Sequence, residues 1–326
     1  MKLSLKMVIR SWKKFGKYKL QVISLLIFLL LWLSFSLANP RAFADFSIYA
    51  SLMATLPFLG IPALALTYVL TCREMDLSFP SIMGLSAWLF TVTWSSTGST
   101  FFALLSGLSA GLMAGLLNGL LVTKGRVPSL IATLGTMFFW RGVVMVGSGG
   151  FGKSLLALKE TTPRNVLVGR IGEIPVQMLW MVAFAFIFWL ILSRHKFGAH
   201  VSFTGDNPQA AILMGINVDR VKIIVFTILG FCAAFSGILI CLALLSFWPG
   251  IGEGYLLLSY AAIVIGGTAL FGGAGTIFGT FVGSHIMRWL ETGILAAGIS
   301  GYWTQLVAGL VVVVAVLFQG YLRWRH

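Results

Sequence analysis

Apolar runs of helix length, separated by short polar segments, occupy nearly the whole chain after residue 19. They run Leu20 to Leu37, Ile48 to Thr71, Ser81 to Trp94, Phe101 to Val122 and Pro128 to Val146 in the first half. Val176 to Leu192, Val221 to Phe247, Leu256 to Leu270, Ile277 to Leu295 and Tyr302 to Phe318 follow. Most lie near the ~20 residues that cross a bilayer, and none shows the alternating ~10-residue pattern of a membrane barrel. The pattern predicts an all-α, polytopic membrane protein with about ten transmembrane helices. Pro57 and Pro62 predict a bend or break in the second run. Gly107, Gly111, Gly115 and Gly119 repeat on one face of the fourth, the small-xxx-small pattern that lets helix backbones approach closely.

The longest hydrophilic interruption on the side where the chain begins is 194–222, and it carries helix signals. Asp206 or Asn207 stands as N-cap, Pro208 at the first helical position, and Gly215 as a stop, which predicts a short helix from Gln209 to Met214. A folded helix in a loop of so apolar a protein points to a soluble partner. Between the eighth and ninth runs, Gly266, Gly267, Gly272, Gly273 and Gly275 fit either a broken transporter helix or a tight hairpin.

Composition sharpens this reading. Charged residues make up 10% of the chain against about 25% in soluble domains, and mean hydropathy is +0.96. The net charge of +14 does not indicate nucleic acid. Seven of the 23 Lys and Arg fall in segment 1–19, which lies in the headgroup plane or forms a basic tail, and the rest fit a positive-inside bias and anionic lipid. Residues 20–326 then form a single transmembrane domain. Ala42-Phe43-Ala44 mimics a signal-peptidase site, but the preceding run is too long for a signal core and is read as a retained helix. Cys72, Cys232 and Cys241 have no framework or metal-ligand spacing.

Gly147-Ser148-Gly149-Gly150-Phe151-Gly152-Lys153-Ser154 matches the phosphate-loop pattern G-x-x-x-x-G-K-[ST]. A membrane helix precedes it where that chemistry needs a buried strand, no acid is placed to hold magnesium, and the topology puts it outside the cell. Nucleotide binding is therefore not expected. Among the nine acids only Glu291, three residues after Arg288, stands within a span, and the two can pair on one helix face. Ion-coupled carriers carry more such groups. Clustered His, Asp or Glu of a membrane enzyme are also missing. Arg141 either lines a polar pathway or snorkels to the headgroups. Glu74 and Asp76 either cap a broken helix beside that pathway or form an ordinary cytoplasmic turn, with Ser78 beside them.

Several stretches resemble the ribose/xylose-type permease subunits of bacterial ABC sugar importers. Gly205-Asp206-Asn207-Pro208-Gln209-Ala210-Ala211 followed by Gly215-Ile216-Asn217-Val218 is similar to that family's G-G-N-x-x-A-A-x-x-x-G-I-N-V signature. Lys124-Gly125-Arg126-Val127-Pro128, Arg141-Gly142, and the stretch from Ala261 through Gly266, Gly267 and Thr268 to Thr280 resemble it in the same order. The family's T-G-G-I-D-L-S keeps Asp76, Leu77 and Ser78 but loses both glycines, and Asp206 replaces the second Gly of G-G-N. The resemblance implies a fold like that of the vitamin B12 importer permease, in a homo- or heterodimer with a second permease subunit. It also implies a cytoplasmic ATPase subunit that carries ATP and magnesium, an extracytoplasmic solute-binding protein, and no cofactor on this chain. Gly205, Asp206, Asn207, Gln209, Ala210, Ala211 and Gly215 then form the ATPase-coupling loop, and Glu74, Asp76, Ser78, Arg141, Gly266 and Gly267 are candidates for the substrate pathway. The expected cargo is a monosaccharide or polyol, crossing by alternating access. A branched-chain amino acid, a nucleoside or an ion-coupled carrier are the alternatives.

Ten spans and the distribution of basic loops place both termini in the cytoplasm of a bacterial inner-membrane protein. A reporter enzyme fused after His326 is expected to be active on the cytoplasmic side, and activity outside would overturn this topology.

Overall fold

The computed structural model describes residues 22–296, 298 and 300–324, so the basic segment 1–19 lies outside the described residues. The chain is helical in the order α1 (Val22–Ala38), α2 (Pro40–Ala44), α3 (Phe46–Thr71), α4 (Phe79–Thr97), α5 (Thr100–Thr123) and α6 (Ser129–Ser148). A segment at one end contains α7 (Thr162–Val168), and α8 (Val176–Arg194), α9 (Lys196–Asp206) and α10 (Pro208–Leu213) follow. The chain continues through α11 (Val218–Leu244), α12 (Tyr255–Ile265), α13 (Ile277–Ala296) and α14 (Tyr302–Trp324). Four two-residue strands, β1 (Lys153–Ser154), β2 (Arg170–Ile171), β3 (Ile174–Pro175) and β4 (Ser246–Phe247), pair as β1 with β4 and β2 with β3. By length and composition α3, α5, α6, α8 and α11 can each cross a membrane.

α3 is continuous through both prolines. Pro62 has no N–H to give the Phe58 carbonyl one turn earlier, and a bare carbonyl is costly in an apolar core. The hydroxyl of Ser236 on α11 donates to that carbonyl at 2.7 Å, so a neighbouring helix supplies the missing bond. α3 and α11 are the two most enclosed of the long helices. They form the centre of the core with α4, whose Phe79, Ile82, Met83 and Phe90 are fully buried.

The glycine stripe on α5 explains why α5 and α11 lie so close. A methyl group on Gly111 would meet Ala234 and the Gly230 carbonyl, one on Gly115 the Phe226 carbonyl, and one on Gly119 the backbone of Ile223. Gly107 is closed by the Ser86 carbonyl and Ile238. Gly230 in turn rests on the backbone of Gly111 and Gly115, so the small residues interlock from both sides. α12 and α13 form a second such pair, with Gly266 against Gly279 and Gly283 against the Ala262 carbonyl.

Several element boundaries differ from the sequence reading. α12 ends at Ile265 and not near Leu270, which leaves it about 17 Å long, so the helix by itself covers only part of the ~30 Å core of a bilayer. α11 ends at Leu244, because Leu245 turns into the left-handed region (φ 52) and Phe247 joins β4. Its start moves back to Val218, where Asn217 accepts a hydrogen bond from the Arg220 amide at 2.9 Å. Phe43, within the peptidase-like tripeptide, is buried and stacks on Trp289.

Gly111→Val should drive a side chain into the α11 backbone and destabilise the fold by about 1–3 kcal/mol. Gly135→Val on α6, with no atom within 4 Å of the added carbon, should not. A lower thermal unfolding midpoint in detergent for Gly111→Val alone is the expected result.

Candidate functional site

Two structured regions stand out from the helical packing. One lies at the end of the bundle where α3 finishes and α11 begins, and the other lies deep within it, at the N-terminus of α4.

At the first, α9 and α10 form the folded part of 194–222. His195 caps α9, with its ring nitrogen accepting from the Phe197 amide at 3.1 Å. Asn207 is the residue that caps α10, accepting from the Ala210 amide at 3.0 Å, while Asp206 closes α9. Gly215 (φ 80) follows the end of α10, where the left-handed turn favours a residue without Cβ. Ala211 is buried beneath α10, and Gln209 is exposed on it beside the half-buried Ala210. Ile212, Leu213 and Met214 point outward, and Leu213 is 89% exposed.

Gly205 anchors this pair to the bundle. A side chain there would collide with the Thr71 carbonyl, and the same carbonyl accepts from the Gly273 amide at 2.9 Å. Gly272 (φ 84) closes over Arg73, and Gly273 (φ 83) lies against Asp206. Segments 71–73, 205–206 and 272–273, distant in sequence, therefore meet backbone to backbone. Beside them Lys222 and Glu74 pair at 2.5 Å with both side chains largely buried, and the exposed Lys124 and Asp219 pair at 3.0 Å. Gly266 and Gly267 stand in the same α12–α13 turn, Gly266 covered by Gly279.

At the second region, Asp76 is buried and caps α4. One carboxylate oxygen accepts from the amides of Ser78 (2.6 Å) and Phe79 (3.0 Å) and from the Ser78 hydroxyl (2.8 Å). Asn118 on α5 donates to the other oxygen (3.1 Å) and to Ser78 (2.7 Å), and itself accepts from Thr136 on α6. The Tyr260 hydroxyl on α12 contacts the Asp76 amide and carbonyl, both at 3.0 Å. A carboxylate at a helix N-terminus also meets the positive end of its dipole. Asp76 therefore caps a helix inside the bundle, and Glu74 two residues earlier belongs to the ion pair at its end.

Arg141 does not snorkel. Its guanidinium donates to the carbonyls of Pro249, Ile251 and Pro80, and it lies 3.8 Å from Glu253. The phosphate-loop look-alike forms no anion cradle: Lys153 is exposed in β1 and paired with Phe247, and a 3-10 turn follows. Arg288 and Glu291 pair as their spacing suggests, with Thr55 as a further partner of the arginine. The three cysteines are free and buried.

A family model described as the permease component of a branched-chain amino acid transport system matches residues 48–316. The chain belongs to this family. The permease is also 34% identical over 287 residues to the ribose import permease protein RbsC of Bacillus subtilis, covering 87% of this chain and 88% of that protein. It is 32% identical to the Escherichia coli K12 protein of the same name (90% and 92% covered). The autoinducer 2 import system permease protein LsrC of Yersinia enterocolitica is 32% identical (87% and 78%). The permease component of a transport system is not itself catalytic, and the long apolar helices fit a membrane protein of a bacterial transporter.

Sequence reasoning missed Asn118, Thr136 and Tyr260, which complete the cap around Asp76, because single polar residues in apolar runs give no signal of their partners. It also passed over Ile212, Leu213 and Met214 as fill between motif positions. Breaking the Glu74–Lys222 pair should leave a largely buried charge unpaired. Glu74→Gln and Lys222→Met are each expected to lower stability, with a coupling energy on the order of 1–3 kcal/mol in the double-mutant cycle measured by unfolding in detergent.

Proposed function

We propose that the permease is the membrane-spanning subunit of an ATP-driven importer for a monosaccharide or related polyol. The names of its relatives support a sugar as cargo more than the branched-chain amino acid of the family description. The reading includes about ten spans, a fold like that of the vitamin B12 importer permease and cytoplasmic termini. A second permease subunit completes the pathway, a solute-binding protein delivers the cargo from outside, and a separate ATPase subunit binds and hydrolyses ATP.

The observation that carries this reading is the Leu213 end of α10. Three large apolar side chains stand exposed on a short, doubly capped helix at the same end as the Glu74–Lys222 and Lys124–Asp219 pairs. Exposed apolar side chains on a rigid polar loop are the expected anchor for a soluble partner. Gly205, Asp206, Asn207, Gln209, Ala210, Ala211 and Gly215 build and hold that anchor. Closure of the ATPase subunits would move α10, and α9 would carry the displacement to Thr71 and Gly273. Of the six pathway candidates, Asp76, Ser78 and Arg141 act beside the route by holding irregular backbone deep in the bundle, while Glu74, Gly266 and Gly267 lie toward the coupling end.

Because Ala211 is buried, Leu213 is the informative position. Leu213→Asp should abolish co-purification of the ATPase subunit in detergent, lowering affinity at least a hundredfold, with normal yield of the permease in the membrane. Gly215→Pro, which cannot adopt the left-handed turn, should do the same. Retained association in both variants would count against α10 as the coupling helix, and uptake by vesicles holding the permease without an ATPase would point to an ion-coupled carrier.

A further inference from the structure

The segment from Leu245 to Gly254 joins α11 to the short α12 and has no regular structure beyond β4. Its depth follows from the helices it touches. Asn118 is eighteen residues into α5, roughly 27 Å from the end at Thr100, and it bonds Asp76 and Ser78 at the start of α4. Gly252 rests on the Pro80 carbonyl, in the first turn of that helix, and Gly84 faces the Ile251 carbonyl. Arg141 reaches the same place from α6. The loop tip therefore sits well inside the length of the membrane helices.

Irregular backbone occurs at such depth only where protein buries it or where it borders a water-filled cavity. This loop does both. Phe247, Pro249 and Ile251 point into the core, and Arg141 satisfies the carbonyls of Pro249 and Ile251. On the other side, the Glu253 side chain is 65% exposed and Trp248 is 37% exposed. A largely uncovered carboxylate at this depth cannot face hydrocarbon and must face water or a polar path. Between the two, Gly250 leaves a notch: a Cβ there would lie 3.3 Å from a Glu253 carboxylate oxygen and 3.4 Å from the Trp248 ring.

We propose that Trp248, Gly250 and Glu253 form a contact site for a polyhydroxylated substrate within the transport pathway. Carboxylate oxygens accept hydrogen bonds from neighbouring hydroxyl groups, and an indole face covers the apolar C–H face of a sugar ring. Arg141 is a positioning residue: its guanidinium, held by backbone carbonyls, lies 3.8 Å from the Glu253 carboxylate. The proposal rests on the sugar-importer reading above and adds the residues that touch the cargo.

The test uses the complete transporter, with its ATPase subunit and binding protein, in proteoliposomes. Radiolabelled ribose, xylose, galactose and inositol are tried in turn, and the solute moved by the wild type is used thereafter. Glu253→Gln and Trp248→Ala should each slow uptake at least tenfold, and Trp248→Phe should restore most of it. Gly250→Cys retains both side chains and asks the exposed Glu253 side chain to give by only a few tenths of an ångström, and the native cysteines are buried. It should react with a charged, membrane-impermeant thiol reagent at least ten times faster than Ile187→Cys, exposed halfway along α8, and the transported solute should slow that reaction severalfold. An unreactive Gly250→Cys, labelling unchanged by the solute, or wild-type uptake in both Glu253→Gln and Trp248→Ala would overturn the site. A wild-type transporter that moves none of the four solutes would overturn the sugar reading itself.

Discussion

Backbone that leaves a helix inside a membrane protein must find its hydrogen bonds within the protein, because lipid offers none. Two neighbouring breaks in this permease face that constraint together: the turn before α4 and the loop after α11. Asp76 meets it for the first by taking the amides of Ser78 and Phe79, and Arg141 meets it for the second by donating to Pro249, Ile251 and Pro80. Each break supports the other, since Gly252 of the loop lies on Pro80 of the helix. Removing either polar group would strand several backbone groups at once, which is why two ionisable residues are tolerated within the bundle.

The close approach of α5 to α11 serves the same region. The glycine stripe brings α5 near enough for Asn118 to reach both Asp76 and Ser78, a contact that bulkier residues at 111 and 115 would prevent. Glycine is a poor helix former in water, costing about 1 kcal/mol relative to alanine. Between membrane helices that penalty is offset by backbone contact over several turns, since apolar side chains gain nothing by leaving lipid for one another. Small residues therefore position the polar cap, and the cap fixes where α4 begins.

Much of this was legible in the sequence, for physical reasons that also explain the gaps. Apolar run length identified the long helices, and the Asn207, Pro208 and Gly215 signals identified α10, because caps and stops are local. The four-residue glycine period on α5 correctly indicated close helix packing. The breaks were legible only as alternatives. Glu74 and Asp76 fitted either the cap of a broken helix or an ordinary turn, and Gly266 to Gly275 either a broken helix or a tight hairpin; the glycines there let α12, α13 and Thr71 pack together. The loop from Leu245 to Gly254 read as the end of a span, since Leu245, Phe247, Trp248 and Ile251 are apolar whether they lie in a helix or in re-entrant backbone. α9 escaped notice because Gly198, Thr204 and Gly205 weaken helix propensity, and tertiary contact at those positions overrides it.

The two regions are joined by a short stretch of chain. Thr71 takes part in the contact with Gly205 and Gly273, and five residues later Asp76 caps α4, whose Pro80 and Gly84 bear on the re-entrant loop. Spatial continuity alone does not establish coupling. What distinguishes this route is that its joints are backbone against backbone or backbone against a buried ion, with glycine at nearly every contact. Flexible side chains could absorb a small displacement of α9 by changing rotamer, whereas a carbonyl seated on a bare glycine has no such freedom. A shift imposed at α10 would therefore reach the start of α4 with little loss. The part of the permease best placed to respond is the loop carrying Trp248 and Glu253, because beyond β4 it is held to the bundle by Arg141, by the close contacts at Gly252 and Gly84 and by buried side chains more than by regular structure.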